Sequence, residues 1–538
     1  MTTSRPSTRI VFAAAAFAAA ALALTSCASS SGAAPSAAAD ALRVDIATPP
    51  ASLDPAAVCS IEDLGLLSDV YPTLTQYAVT DDTAGTEQVL SSTEVEGNLA
   101  ESWTVSDDGL TYTFKLRDAK FASGNPITSE VVKWSWERAI ALGSCGASFS
   151  KGGSASDLVS IDTPDDHTVV TTLGARNPDY LLALTSSGAA IVDQQAIEAA
   201  ADTVDAQNEW LASHFAGGAA YNVDAYEPGS TLTLSANSNW WGAKPKAAKV
   251  DVSFVSDDAA LLLRARNGEA DVTLGLTKQS VASLKGNDAV SIIGHPAAAW
   301  QIIGLPNQVA PFDNAKFREA LTYATPQQGL VDQVAKGYGE AYYGPFSPAF
   351  RAYNESLSKP REYDLAKAKE LIAESGAQLP VKIDAYVREG VNDQKQIATI
   401  VQDSWKQLGV ELNVVELSAA EYQNAAGAEK KEWVIIRFDG PSVVTPSWLA
   451  SYDIRCGQLY NQSNYCNPKV DQLITDAASA TTDEERQQYW DQVTELWNAA
   501  SPRAIAYAQD FTAVLGTGVD SYVYGQNNIP FHLWSTSS

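Results

Sequence analysis

Residues 99–140, LAESWTVSDDGLTYTFKLRDAKFASGNPITSEVVKWSWERAI, carry the signals of a β-strand followed by an α-helix. Asp107-Asp108-Gly109 is a turn signal, and the alternating aromatic and β-branched run from Thr111 to Leu116 that follows it is typical of a strand. Gly124-Asn125-Pro126 closes a loop, after which apolar residues recur at helical spacing (Val132, Trp136, Ile140). The stretch predicts an α/β unit, which by itself implies no function.

The residue pattern of this stretch also resembles that of a known protein family. The pattern LAESWxVxxDGLTYTFKLRxxxFxxGxPITSEVV resembles the signature of the family 5 extracellular solute-binding proteins, the dipeptide and oligopeptide receptors of bacterial ABC importers. Residues 311–324, PFDNAKFREALTYA, are similar to a second family segment. The resemblance covers nearly all of the mature chain. It implies an α/β, two-lobed periplasmic-binding-protein-like fold with an extra subdomain in the first lobe and a hinge cleft between the lobes.

Composition limits the classes of partner. The 538 residues are 45% hydrophobic, enough for two or more globular domains. There are 36 Lys and Arg against 64 Asp and Glu, giving a formal charge of −28. Because such a surface repels phosphate backbones, no nucleic acid partner is expected. We expect a monomer.

The first residues predict export. Arg5 and Arg9 precede an apolar, Ala-rich run from Ile10 to Leu24, which is typical of a secretory signal. The run ends in Leu24-Thr25-Ser26-Cys27, which resembles the lipobox of bacterial lipoproteins, in which Cys27 is diacylated and becomes the mature N-terminus. The alternative is ordinary cleavage at a small residue. A lipid anchor on the outer face of the cytoplasmic membrane, extracellular or periplasmic, is then the expected membrane contact.

The resemblance also implies a division of the chain. Residues 1–27 form the signal peptide and residues 28–41 a flexible Ala/Ser/Gly tether. The first lobe takes residues 42–298 and 508–538, with the extra subdomain at about 79–215, and the second lobe takes residues 299–507. Residues 81–96 are longer and more polar than the family pattern, and we interpret them as a surface loop.

The other four cysteines predict two disulfides. Cys59, Cys145, Cys456 and Cys466 are an even number in an exported protein and allow three pairings. Pairing Cys59 with Cys145 and Cys456 with Cys466 keeps each bond within one predicted lobe. A metal site is the alternative, but the sequence has no Cys-x-x-Cys and its four histidines lack ligand spacing. No metal or cofactor is expected.

Two charged residues follow predicted strands. Arg388 comes after the strand from Val381, and Asp439 after the strand Trp433 to Phe438. Ligands of doubly wound folds bind beyond the carboxyl ends of strands. By the resemblance, Arg388 lies where dipeptide receptors hold the peptide carboxylate, and Asp439 where the family holds the peptide α-ammonium. The alternatives are a solvated turn beside Glu389 and a loop turn at Gly440.

Five further residues are candidates for the walls of the cleft. The resemblance places Ser60 and Ile61 near the ligand, although a plain strand-to-loop turn explains either of them equally well. Trp300, Trp448 and Tyr452 are aromatic residues that can supply apolar walls.

The sequence therefore predicts a binding protein that closes on a short peptide and presents it to an ABC permease and ATPase complex. It contains no nucleophile elbow, no H-E-x-x-H and no phosphate loop, so no enzyme is expected. Some family members bind other solutes, and an oligosaccharide, a nickel chelate or haem is the alternative ligand. A signalling or adhesion lipoprotein built on the same fold is a further alternative.

Overall fold

The computed structural model describes residues 41–81, 87–144, 146–153, 157–458 and 460–537. The predicted signal peptide, the lipobox Cys27 and almost all of the tether lie outside the described residues, as does Cys145. None of the helices within the described ranges has the length and apolar content needed to traverse a bilayer.

The described chain alternates strands and helices. In chain order the strands are β1 (Ala41–Ile46), β2 (Thr75–Asp81), β3 (Gln88–Gly97), β4 (Ala100–Val105), β5 (Thr111–Leu116), β6 (Leu158–Asp165), β7 (Thr168–Leu173), β8 (Tyr221–Glu227), β9 (Thr231–Ala236), β10 (Lys249–Phe254), β11 (Val272–Leu274), β12 (Val290–Gly304), β13 (Gly339–Glu340), β14 (Val381–Arg388), β15 (Val410–Leu417), β16 (Val434–Asp439), β17 (Arg503–Gly516), β18 (Val519–Ser521) and β19 (Ser535–Thr536). The helices are α1 (Ile61–Leu67), α2 (Ser129–Leu142), α3 (Gly146–Ser150), α4 (Tyr180–Ala183), α5 (Gln194–Ala200), α6 (Val204–Leu211), α7 (Asp258–Arg266), α8 (Lys278–Ser283), α9 (Ala315–Tyr323), α10 (Gln327–Gln333), α11 (Leu365–Ser375), α12 (Asn392–Trp405), α13 (Ala419–Ala426), α14 (Pro446–Leu449), α15 (Pro468–Ser479) and α16 (Asp483–Ala500).

The predicted strand and helix of the signature stretch are confirmed. β5 spans Thr111–Leu116 and pairs with β4 and β7 in a four-stranded antiparallel sheet. α2 begins at Ser129, with Thr128 at its N-cap, and ends at Gly143, whose φ of 68° is the left-handed conformation that glycine adopts without strain. Val132 and Trp136 are fully buried, as their helical spacing indicates.

One large mixed sheet connects the two ends of the molecule. Its order is β15-β14-β16-β12-β17-β11-β1-β10-β9-β8, with β13 added beside β17. The first core is built mainly from residues 42–274 and 513–534. Two further cores use residues 303–507 and 298–508. The sheet therefore passes from one packed half of the molecule to the other.

The crossing is made by the two long strands β12 and β17. Before Pro296, β12 pairs with the end of β17 beside the first core; after Trp300, it pairs with the start of β17 and with β16. The pairing is interrupted between these two residues. An interruption of this kind bends a strand and increases its twist, which favours a hinge at this point.

The second half contains a βαβ unit. β14 and β15 pair in parallel from Val381↔Val410 to Arg388↔Leu417, and α12 connects them. Gly409, with a φ of 81°, ends the helical turn before β15. The parallel register places the carboxyl end of β14, and with it Arg388, at the edge of the sheet where ligands bind.

The interpretation of residues 81–96 as a surface loop is wrong. Gln88–Gly97 is a ten-residue strand that pairs with β2 from Thr75↔Gly97 to Asp81↔Gln88. Four of its ten side chains are exposed and five are half-buried, Ser91 is its one buried residue, and Leu90 and Val95 pack against the first core. Because polar residues occupy most of the strand and backbone pairing contributes much of its stability, the sequence lacks the hydrophobic alternation that would have indicated it.

Candidate ligand-binding site

A cavity of about 820 Å³ opens between the two packed halves. Six residues predicted as ligand contacts lie around it: Ser60, Ile61, Arg388, Asp439, Trp448 and Tyr452. Gln301 and Gln509, from the crossing strands β12 and β17, also line it. The tertiary structure thus brings together residues that are up to 392 positions apart in the chain, from Ser60 to Tyr452. Their roles in binding stay predictions.

Trp300 is placed elsewhere, which corrects its interpretation as a cleft wall. Its side chain is fully buried, is not among the residues that line the cavity, and packs 5.8 Å from the ring of Phe350. Trp300 pairs directly with Asp439 in the antiparallel register of β12 and β16, so the two side chains are presented to the same face of the sheet. The Trp300 ring does not reach the cavity because the core on residues 298–508, including Phe350, packs over it.

Asp439 is the most unusual group of the cavity wall. It ends β16, is 6% exposed, and its Oδ1 accepts from the backbone N of Gly440 at 3.0 Å. Its Oδ2 is buried and has no hydrogen-bond partner. Burial raises the pKa of Asp439, while Arg437 and Arg503 oppose the rise. A buried carboxylate oxygen without a donor costs free energy, so this position favours a ligand that supplies one.

A buried ion pair lies behind Asp439. Arg503 donates to Asp453 at 2.9 Å, and both side chains are almost completely buried. Burial raises the pKa of Asp453 to about 6, with Arg503 acting against the shift. Because Asp453 already has a cationic partner, the carboxylate left for a ligand is that of Asp439.

Tyr452 lies in a π-helical turn, Ala450–Ile454, that follows α14. Such turns are rare and are found frequently at functional sites. The Tyr452 hydroxyl is buried without a hydrogen-bond partner, and burial together with Asp439 raises its pKa well above the usual value. The hydroxyl can therefore donate to a ligand but does not ionise at neutral pH.

Trp448 connects the two halves across the cavity. Its ring stacks on Phe149 with centroids 5.0 Å apart, and the backbone of Gly153 lies so close that an added Cβ would be 2.6 Å from the Trp448 ring. Phe149 packs in the first core, whereas Trp448 follows β16 in the chain. This contact closes one side of the cavity.

Several wall residues were not predicted from the sequence. Arg437, Gln458 and Tyr460 line the cavity, and Arg437 lies over the Tyr460 ring at 5.3 Å. Residues i and i+2 of a strand share a face, so the prediction of Asp439 could have indicated Arg437 as well. Gln458 and Tyr460 lie on a loop, for which the sequence has no periodic signal.

That loop is closed by the Cys456–Cys466 disulfide, which confirms the second predicted pair. Cys59 lines the cavity and is disulfide-bonded as well. Its predicted partner, Cys145, lies outside the described residues.

We expect that replacing Cys456 and Cys466 together with serine lowers both stability and ligand affinity. Closing a loop of this length, with a sequence separation of 10, removes about 3 kcal/mol of unfolded-chain entropy. Loss of the bond also frees the loop that carries Gln458 and Tyr460. Thermal unfolding and titration calorimetry against the oxidised wild type measure the two effects. If the unfolding midpoint and the ligand affinity of the variant both equal those of the wild type, the loop is held by its other contacts.

A smaller cavity of about 330 Å³ continues the cleft and shares five lining residues with the larger one (Ile61, Glu62, Asp393, Phe438, Gln509). Lys278 lines it and donates to the backbone O of Asp510 at 2.6 Å and to Thr512 Oγ1 at 3.0 Å. Burial lowers the pKa of Lys278 to about 8, although Asp510 and Asp393 oppose the shift. Both cavities therefore combine charged groups with apolar walls.

Two packed halves joined by two crossing strands, with a charged cavity between them, define a protein that encloses a small solute. Across the described residues there is no cluster of three or more His, Cys, Asp or Glu side chains that could hold a metal ion. The class is that of the two-lobed solute-binding proteins.

The family model for bacterial extracellular solute-binding proteins, family 5 middle, matches residues 94–454. The chain belongs to this family, whose members are non-catalytic binding proteins, and it is a substrate-binding protein of the ABC transporter type.

Known proteins are similar to this chain over most of its length. A probable D,D-dipeptide-binding periplasmic protein of Escherichia coli is 29% identical over 484 residues, covering 89% of this chain and 90% of the relative. Haem-binding protein A of Haemophilus influenzae is 26% identical over 457 residues, covering 80% of this chain and 82% of the relative. The peptide-bound structure of a periplasmic binding protein from Helicobacter pylori superposes with a TM-score of 0.79 at 21% identity, covering 93% of this chain and 98% of the other.

Proposed function

We propose that the protein captures a short peptide outside the cell and delivers it to an ABC permease and ATPase complex. Asp439 binds the peptide α-ammonium and Arg388 binds the terminal carboxylate. The observation that carries the proposal is the buried Oδ2 of Asp439, which lines the cavity and has no donor. An ammonium group supplies N–H donors and a compensating charge at once.

The relatives support a peptide as the ligand. The Escherichia coli relative is named for dipeptide binding, and the Helicobacter pylori structure holds a peptide. The haem-binding relative shows that this family includes other ligands. The cavity favours the peptide because it pairs the Asp439 carboxylate with the Arg388 cation, the charges that complement the two ends of a free peptide.

Binding is proposed to proceed by hinge closure. Residues 42–298 with 508–538 form one lobe, with the extra subdomain at about 79–215, and residues 299–507 form the other. The crossing strands β12 and β17 are the hinge. Closure removes water from both charged contacts, so only a ligand that touches both lobes stabilises the closed state. A lipid on Cys27 would hold the protein at the membrane beside its permease.

Thermal unfolding of the protein lacking residues 1–27 tests this function. The ligands are a free dipeptide, its N-acetylated form and its C-terminal amide. A ligand at a hundred times its dissociation constant adds about 2.7 kcal/mol to the free energy of unfolding. We expect the free dipeptide alone to raise the midpoint. If none of the three raises it, the ligand is not a short peptide, and haem, nickel chelates and oligosaccharides are the next ligands to titrate.

We expect Arg388→Ala to weaken dipeptides more than longer peptides. The terminal carboxylate of a dipeptide reaches Arg388 when its ammonium is bound at Asp439, whereas a longer peptide extends past it. Titration calorimetry with peptides of two to five residues measures the difference. Lys382→Ala is the control, because Lys382 is exposed on the same strand and pairs with Glu411 outside the cavity. An equal loss for every length would contradict a role for Arg388 as a length gauge.

A further inference from the structure

Arg437 and Asp439 present their side chains to the same cavity. They are two residues apart in β16, so they share one face of the strand, and both line the 820 Å³ cavity. Two residues along a strand span about 7 Å between Cα atoms. A cationic and an anionic side chain are therefore presented side by side to whatever fills this part of the cleft.

Arg437 forms no close ion pair with an acidic residue among the residues that the structure describes, although it lies near enough to Asp439 to oppose the rise in its pKa. No ion pair within 4 Å involves it, and its Nε is buried without an acceptor. Its contact within the protein is the face of the Tyr460 ring at 5.3 Å. Arg503 and Arg138, by contrast, are buried against Asp453 and Asp54. A partly buried guanidinium costs free energy unless an acceptor reaches it.

Charged groups of both signs lie around Arg437, since it also acts on the buried carboxylates of Asp439 and Asp453. Burial together with the nearby Arg437 lowers the pKa of Lys431. Arg437 and Arg388 both act on Tyr422, lowering its pKa against the rise that burial causes. Asp439 thus has cations beside it, and Arg437 lines the cavity with a buried Nε–H that an acceptor on a ligand can satisfy.

We infer that Arg437 binds a carboxylate carried by the same ligand residue whose α-ammonium is bound at Asp439. The preferred ligand is then a peptide with an acidic first residue. This inference rests on the proposed function, since it places the α-ammonium at Asp439. The planar guanidinium offers two parallel N–H donors to a carboxylate, and its ring contact with Tyr460 holds that plane in position. A neutral amide side chain matches the shape of the acidic one but lacks its charge.

The test compares four dipeptides that differ in their first residue: glutamyl-alanine, glutaminyl-alanine, aspartyl-alanine and asparaginyl-alanine. Titration calorimetry at one pH and ionic strength gives the affinity ratio within each acid and amide pair. We expect the wild type to prefer each acidic peptide by at least about tenfold, the value of one charge-assisted contact. Arg437→Gln should bring both ratios to about one, and Arg437→Lys should leave them in between.

Two variants distinguish this role from a structural one. Arg388→Gln should weaken acid and amide peptides equally and leave the ratio unchanged. Arg455→Gln is the matched control, because Arg455 also has a buried, unpartnered Nε but does not line the cavity. It should leave both the affinities and the ratio at the wild-type values. Thermal unfolding of each variant confirms that it is folded, and Arg437→Lys keeps the test open if Arg437→Gln does not fold.

The outcomes separate the two claims. If the wild type binds all four peptides without preference, or if Arg437→Gln weakens acid and amide peptides equally, the inference on Arg437 is overturned while the proposed peptide function stands. If none of the four peptides, nor the free dipeptide of the unfolding test, binds the wild type, the proposed function fails and this inference fails with it.

Discussion

Asp439→Asn should weaken binding of a free peptide by more than about tenfold, the loss of one charge-assisted hydrogen bond in a site from which closure of the lobes removes water. Asp439 is 6% exposed, and no residue that the structure describes donates to its Oδ2. Asparagine keeps the size of the side chain but removes the negative charge. The amide nitrogen would also point a donor at the ligand ammonium, which has no acceptor.

The same anchor predicts a pH dependence. Burial raises the pKa of Asp439, so its carboxylate takes up a proton at a higher pH than an exposed aspartate does. Because the ammonium binds the ionised form, affinity should fall as the pH drops through that raised pKa. In Asp439→Asn this dependence should be absent. Titration calorimetry over a pH series measures both.

Asp384→Asn serves as the control for Asp439→Asn. Asp384 is exposed on β14, accepts from Asn413 at 2.8 Å and does not line the cavity. It should leave affinity unchanged. The N-acetylated peptide, which has no ammonium, should bind the wild type and Asp439→Asn equally weakly. An unchanged affinity of Asp439→Asn for the free peptide would contradict the assignment of Asp439 as the amine anchor.

Asp54→Ala should lower the free energy of unfolding by about 3–5 kcal/mol, because it leaves a buried cation without its partner. The Asp54 side chain is 0% exposed and that of Arg138 is 2% exposed. Arg138 donates to both carboxylate oxygens, at 3.1 and 2.5 Å, and to Gln207 at 3.2 Å. Asp54 also accepts from the backbone N of Ala56 at 3.0 Å.

Two comparisons isolate the unpaired charge as the cause. The double variant Asp54→Leu/Arg138→Met removes both charges and should recover much of the loss, since replacing a buried pair with apolar groups is often neutral. Lys367→Ala breaks an exposed pair with Glu370 and should leave the free energy of unfolding nearly unchanged. Thermal and urea unfolding measure all three. If the double variant is as unstable as Asp54→Ala, the loss of unfolding free energy comes from altered packing and not from the unpaired charge.

Local sequence patterns predicted the regular elements well, for a physical reason. The helix α2 and the strand β5 have an amphipathic period, caps or turn signals that lie within a few residues of one another. The hairpin arm β3 has no such period, because polar residues occupy most of it and its pairing to β2 and to Tyr524, whose O accepts from Leu90 N at 2.7 Å, contributes much of its stability. Backbone hydrogen bonds between distant segments impose no periodic pattern of apolar residues, so the sequence does not indicate them.

The candidate site was reached partly from the sequence. Arg388 and Asp439 were predicted because each follows a strand and because the family pattern points to them, and both line the cavity. Trp300 was misplaced because Phe350 and the surrounding core cover its ring, and which groups pack over a strand face is decided only by the tertiary structure. Tyr460 was missed because a disulfide-closed loop brings it to Arg437.

The sequence by itself determined the class of protein, through its resemblance to a family, together with several of the strands and helices and the two charged residues at strand ends. The strands and helices depend on local turns, caps and periods, which nearby residues set. The tertiary structure alone decided which side chains share the cavity, that no described residue donates to the Asp439 Oδ2, and that the Arg437 Nε beside it is buried without an acceptor among the described residues. Those facts depend on how the crossing strands β12 and β17 bring two halves of the chain together, and on burial, which no single segment controls.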